Sequence, residues 1–412
     1  MASQIFDLAY QSNHITDDSW GFIPIKTPYH FTADEYHRIL QIGLLVKSIF
    51  KKAQVFISES LESGHSALFN RLVLASIAEY DRTLAKEVII RSKEMLPMNF
   101  RPDILGDFTV SEIQAPGSGY PFQFALEMFS GTEAKRTSII RTYKKWLGNK
   151  RAVWWLYNES LENSVHFLAR ACQECGIDLQ VKKNSEFDPE DDFGIIIKRP
   201  PLPELLASDK GRILIRRWLD GEIEMDPPPH IIPEVKYVLF MLFHPETCHL
   251  FTDEERSICH PTFLITNYEQ KVEFSNNGFY PTGSIEELAD LNNKQANVVI
   301  KYGGAKKWAR FGGHEVYNLT QMNHKERGDL IVRAVDDFEI NGEGWIIQPF
   351  IKKKIVFPID AQKERYVLFR PCYHINPQEE IEYVGTVMGL RGEWKVHGSS
   401  DCSFGVCIPS KK

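Results

Sequence analysis

Residues 99–121 read NFRPDILGDFTVSEIQAPGSGYP and hold most of the chain's chemistry-bearing types in a short span. Arg101 and Asp103 are two residues apart, as are Glu112 and Gln114. On an extended strand such pairs point the same way. Two carboxylates, an amide oxygen and a guanidinium could then meet at one strand end. Magnesium takes hard oxygen ligands, usually one or two carboxylates completed by phosphate and water. A neighbouring arginine can grip an oxyanion with two parallel hydrogen bonds. The run 107–115 alternates polar and apolar, with Phe108, Val110 and Ile113 as the apolar set. The alternation breaks at Glu112–Ile113, which leaves the facing of Glu112 and Gln114 open. A surface hairpin with solvated charges would share this pattern.

A second constellation lies near residue 300. Lys301 closes the apolar run Asn297-Val-Val-Ile and is followed by Gly303, Gly304, Gly312 and Gly313. A free ammonium is costly to bury. Glycine lets backbone amides close around an anion, and a lysine adds a point charge, so phosphate is the natural guest. The spacing is not that of a P-loop, which ends in Gly-Lys-Ser/Thr. A plain hairpin with a glycine turn is the structural alternative. Lys236 is the one cation of the apolar stretch IIPEVKYVLFML. Residues 344–351, GWIIQPFI, could wall a flat base with apolar side chains, with Gln348 and Ile351 at its edge. By itself that run is an ordinary core strand. Cys172 and Cys175 form a lone C-x-x-C at a helix end, without the second pair a zinc site wants. His314 and His374 stand singly, as packed histidines do.

The elements that must position these residues follow from pattern. Thr32–Glu35 is a capping box, and Ile39, Ile42, Val46, Ile49 and Ala53 continue as the apolar stripe of a long helix. Residues 1–95 are mainly helical by this reading. Residues 151–157 and 177–181 are buried strands around a helix over 163–175, a strand–helix–strand unit that implies a parallel layer. Residues 226–230, DPPPH, form a stiff connection. This gives a helical segment (1–95), an α/β core carrying the 101–114 motif (96–230), and a C-terminal part (231–412) with an apolar helix over 231–242 and then mostly strands.

The whole chain excludes several classes. It has 412 residues, 43% hydrophobic and 25% charged, enough for a sizeable folded core. Its formal charge of -7 argues against a nucleic-acid backbone as partner. A single-strand face over 302–311, where aromatic and basic residues interleave, is disfavoured by that charge and by the glycines. No apolar run is long enough to span a membrane. The start lacks the pattern of a secretory signal. Seven scattered cysteines lead to an expectation of reduced thiols and a cytoplasmic setting.

Taken in order, the motifs resemble the synthetase half of glutathionylspermidine synthase and its relatives in the ATP-grasp superfamily. Arg101-Pro-Asp103 is similar to that family's R-x-D. Glu112-Ile-Gln114 is similar to its E-x-N, with Gln in place of Asn. Lys236, Lys301 with Gly312-Gly313, and Ile346-Ile-Gln348 follow the family's order, and Ser403-Phe-Gly-Val-Cys407 echoes a terminal S-x-F-x-P run without its proline. The resemblance begins near residue 95. No cysteine matches the amidase half of the bifunctional relatives, so amidase activity is not expected.

The resemblance implies an α/β, ATP-grasp-like fold with a helical N-terminal segment, a parallel layer and a nucleotide-binding lobe of mixed sheets. It implies an ATP- and magnesium-dependent ligase that joins a small-molecule carboxylate to an amine through an acyl phosphate. Asp103, Glu112 and Gln114 would hold magnesium, and Lys236 and Lys301 the phosphates. Arg101 would steady the transferred phosphoryl group, and the loop over 303–313 would close as a lid. Two alternatives remain open at this point: a nucleotide-binding protein of the same fold that has lost the reaction, and a binding or scaffold protein of another kind.

Overall fold

The computed structural model describes residues 23–114, 119–157, 162–274, 282–305, 315–356, 364–396 and 401–410. Short strands β1 (Ile23–Pro24) and β2 (Tyr29–Phe31) lead into helix α1 (Ala33–Ser63). The expected capping box is present: Glu35 N–H donates to Thr32 Oγ1 at 3.2 Å and Thr32 N–H to Glu35 Oε2 at 2.9 Å. The helix ends at Gly64, whose φ of +75° suits glycine. Its stripe, Ile39, Ile42, Val46, Ile49 and Ala53, is fully buried. Truncating one such isoleucine to alanine would cost about 2–5 kcal/mol. Helices α2 (Ala67–Leu74) and α3 (Arg82–Arg91) complete this segment.

Strands β3 (Asn99–Leu105) and β4 (Val110–Gln114) form an antiparallel pair with a bulge beside Asp103. β4 starts later than the alternation suggests, because Phe108 turns through a left-handed conformation, φ +63°. Helices α4 (Gly119–Ser130) and α5 (Glu133–Leu147) follow. Next come β5 (Ala152–Leu156), α6 (Glu162–Glu174), β6 (Leu179–Lys183), β7 (Ile195–Ile197), α7 (Leu202–Ala207), α8 (Asp209–Leu219) and β8 (Glu224–Asp226). These four strands make a parallel sheet of order β6-β5-β7-β8, as the strand–helix–strand pattern predicts. Cys172 is buried on α6, and burial pushes its thiol up to about 12.

The apolar stretch around Lys236 is not one helix. It breaks into a 3-10 turn, Ile232–Glu234, and the short helix α9 (Tyr237–Met241), with Lys236 at the cap. Pro233 has no N–H to donate, and Lys236 N–H bonds Gly303 O at 2.9 Å instead of a helical carbonyl. Then follow α10 (Asp253–Ser257), β9 (Phe263–Ile265), the hairpin β10 (Lys271–Glu273) and β11 (Thr282–Ser284), α11 (Glu287–Asp290), β12 (Val298–Tyr302), β13 (Val316–Asn318), α12 (His324–Asp336) and β14 (Trp345–Pro349). β13-β12-β14-β9 form an antiparallel sheet.

β15 (Lys354–Val356), β16 (Glu364–Ile375), β17 (Ile381–Arg391) and β18 (Ser403–Pro409) close the chain. Among the described residues they join the early strands in an eight-stranded sheet of order β1-β18-β17-β16-β3-β4, with β15 on β16 and β2 on β18. Helix α1 covers one face, where Phe50 meets Phe100 and the Tyr373 hydroxyl donates to Ile39 O at 2.5 Å. Helix α4 covers part of the other, where Phe122 meets Phe404. The fold is thus mixed α/β, with a helical N-terminal segment, a parallel layer and antiparallel mixed sheets. Among the described residues no helix is long and apolar enough to cross a membrane.

Candidate functional site

The antiparallel sheet of β12–β14 faces the open part of the large sheet across a cleft of about 990 Å³, its mouth included. β3, β4 and β16 supply one wall and β12, β13 and the end of β14 the other, while Trp394 to Val396 close one side.

The large-sheet wall carries the first motif. Asp103, Glu112 and Lys301 line the cleft together. Alternation along β3 puts Arg101 and Asp103 on one side, and Arg101 Nε lies 3.6 Å from Asp103 Oδ1. Glu112 stands opposite Asp103 in register, and Gln114 opposite Arg101. The Gln114 side chain lies outside the described residues. Lys236 Nζ is 3.5 Å from Glu112 Oε1. Lys301 crosses from β12 and donates to Ser111 O at 3.1 Å. Burial pulls its ammonium down to about 8, with Lys236 adding to the effect and Glu112 and Asp103 opposing it.

Sequence reasoning missed one member. Arg370 on β16, only 4% exposed, brings its Nε to 3.4 Å from Asp103 Oδ1. Neither its Nε nor its Nη2 has a hydrogen-bond partner among the described residues. Burial, with Arg101 adding to it, lowers this guanidinium from the ordinary arginine value against the pull of Asp103 and Glu112. The available signal was a lone cation within the apolar run YVLFRPCYH. A second missed pair is His260 and Asp107: Nε2 lies 2.7 Å from Oδ2, and His260 lines the cleft.

Four cations, Arg101, Arg370, Lys236 and Lys301, therefore converge on two carboxylates, Asp103 and Glu112. A buried guanidinium with open donors calls for an anion of several oxygens, and phosphate fits. Asp103 and Glu112 fit magnesium in number and type. Among the described residues no group of three or more His, Cys, Asp or Glu gathers that could hold a metal ion.

The remaining expected residues divide. Gln348 and Ile351 both line the cleft. Gly303 is a joint between elements: its N–H bonds Gly344 O at 2.8 Å and its C=O takes Lys236 N–H. A Cβ there would come within 2.6 Å of the Tyr237 ring. Gly304 is buried beside Tyr302. Gly312, Gly313 and His314, and with them most of the expected lid, lie outside the described residues. His374 is packed in the interior against Trp146 and 3.3 Å from Asn99 Oδ1.

No family model matches the sequence, and no curated protein does. Among solved structures, the chain is similar to a provisionally named gamma-glutamylcysteine synthetase from Methylobacillus flagellatus KT, at 12% identity and a TM-score of 0.37, over 84% of this chain and 86% of that one. A likeness of that size decides neither fold nor chemistry.

Proposed function

We propose that the chain is an ATP- and magnesium-dependent ligase of ATP-grasp type that joins a small-molecule carboxylate to an amine. The observation that carries this reading is the convergence of Arg101, Arg370, Lys236 and Lys301 on Asp103 and Glu112, with Asp103, Glu112 and Lys301 themselves lining the two-sheet cleft. Such an excess of fixed cations around two carboxylates is matched to a polyphosphate. The apolar remainder of the cleft is matched to a base.

In this reading a substrate carboxylate oxygen attacks the γ-phosphorus, ADP leaves, and an acyl phosphate forms. The amine nitrogen then displaces phosphate, so an acyl phosphate and an ammonium give an amide, hydrogen phosphate and a proton. The protein contributes position and charge. Lys236 and Lys301 neutralise the phosphate chain. Arg101 and Arg370 meet the charge of the phosphoryl group in transfer. Asp103 and Glu112, with Gln114 beside them on β4, would hold magnesium, which when bound shields phosphate charge. The cleft walls keep water from the acyl phosphate. The domain division follows: a helical support (1–95), an α/β core with the metal motif (96–230), and nucleotide-binding lobes (231–412).

The test is ADP release over a panel of amino acids, peptides and polyamines, with hydroxylamine as a general acceptor. The expected result is ADP formation that requires one carboxylate and yields a hydroxamate. ATP turnover indifferent to every carboxylate would count against the ligase.

A further inference from the structure

We infer that Thr262 sets which nucleobase the cleft accepts, by fixing the orientation of the Gln348 amide; the inference rests on the nucleotide reading above. Gln348 lines the cleft at the end of β14 and is 5% exposed, with Thr262 behind it at 1%. Gln348 Nε2 lies 2.9 Å from Thr262 Oγ1, and Thr262 Oγ1 lies 3.0 Å from the backbone oxygen of His260.

The two hydrogen bonds of this chain run in one direction. The His260 carbonyl can only accept. The Thr262 hydroxyl has one proton and spends it there. It can therefore only accept from Gln348, and a side-chain amide donates through nitrogen alone. Amide orientation follows from such a network, so Gln348 turns its oxygen, an acceptor, away from Thr262.

The adjoining backbone has the same polarity. Pro349 has no N–H, and Phe350 N–H is bonded to Asn297 O at 2.9 Å. The edge at 348–350 thus offers acceptors in place of donors. A base read there must donate. The 6-amino group of adenine does so, while the 6-oxo group of hypoxanthine or guanine would set oxygen against oxygen. A mismatch of this kind discriminates by leaving buried polar groups unsatisfied. Thr262 is a positioning residue in this scheme, and Gln348 makes the contact.

The experiment is calorimetric binding of ATP and ITP, each with magnesium, to the wild-type chain and to Thr262→Ser, Thr262→Val and Gln348→Met. ITP differs from ATP only at the purine 6 position and its N1 proton. Wild type and Thr262→Ser should prefer ATP by roughly 10- to 100-fold. Thr262→Val, free to turn its amide, should bring the ratio toward unity with an unchanged unfolding midpoint. Gln348→Met should do the same, which keeps the test open if the valine variant fails to fold. Equal binding of ATP and ITP by wild type, or a wild-type ratio in folded Thr262→Val or Gln348→Met, would overturn the inference while leaving the ligase intact. Binding of neither nucleotide would overturn the nucleotide reading and this inference with it.

Discussion

The Arg370 guanidinium lies 3.4 Å from the Asp103 carboxylate yet makes no hydrogen bond to it, and Nη2 also has no hydrogen-bond partner among the described residues. A cation so buried and so weakly matched burdens the unliganded fold. It is well placed for a charge that arrives with the substrate. Arg370→Met is expected to leave the unfolding midpoint unchanged or higher while lowering kcat by about 10³–10⁵, the range for a phosphoryl-stabilising arginine. Arg370→Lys should not restore activity, since a point charge cannot copy the fork. A large drop in midpoint with activity intact would show Arg370 to be structural.

Glu112 is tied to Lys236 at 3.5 Å and faces the cleft. If it is a metal ligand, Glu112→Ala should lower kcat/KM by more than the roughly 10–100-fold typical of outer-sphere changes. It should also raise the magnesium concentration needed for half activity. Turnover with an unchanged magnesium requirement would remove Glu112 from the metal set.

Desolvation, with the charge of Lys236 adding to it, pulls the Lys301 ammonium down to about 8 against Glu112 and Asp103. Phosphate binds the charged form, so affinity is present below that value and falls as pH rises through it. ATP affinity should decline above about pH 8 in the wild-type chain, and Lys301→Arg should flatten the decline, since arginine stays charged. An equally steep decline in Lys301→Arg would assign the titration to another group.

Away from the cleft, buried Asp226 accepts Met98 N–H at 2.7 Å and Asn99 Nδ2–H at 3.0 Å. Burial pushes its carboxyl up from 3.8 to about 7. Between those values the unfolded chain has lost a proton that the folded chain keeps, so this group makes stability fall as pH rises. His230 and His374 act in the opposite sense. Burial lowers them from 6.5 to about 3 and about 4, so stability falls on acidification below 6.5. Asp226→Asn removes the first effect and keeps the other two. Its unfolding midpoint should therefore drop more steeply than that of wild type from pH 7 to 4. Parallel profiles would contradict the assignment.

Much of this was legible because it is local. The Thr32 capping box, the α1 stripe and the β5–α6–β6 unit depend on residues a few positions apart. Arg101 and Asp103 share a side because strand alternation requires it, and the cleft does take up Lys301 and Gln348. Contacts between distant segments were not legible. Arg370 reaches Asp103 only because β16 pairs with β3, a register fixed by tertiary packing. The helix expected around Lys236 gave way to a bond with Gly303 from another element. Asp107 and His260, 2.7 Å apart, carry no mark in the sequence of their meeting.

The most direct measurement is thermal unfolding with ATP and magnesium, each alone and together, on the wild-type chain and on Asp103→Asn/Glu112→Gln. A ligand at 100 times its dissociation constant adds about 2.7 kcal/mol to the folded state. A clear rise in midpoint that needs both components and is lost in the double variant is expected. No rise with both present, or the same rise in the double variant, would contradict the proposed magnesium-nucleotide site.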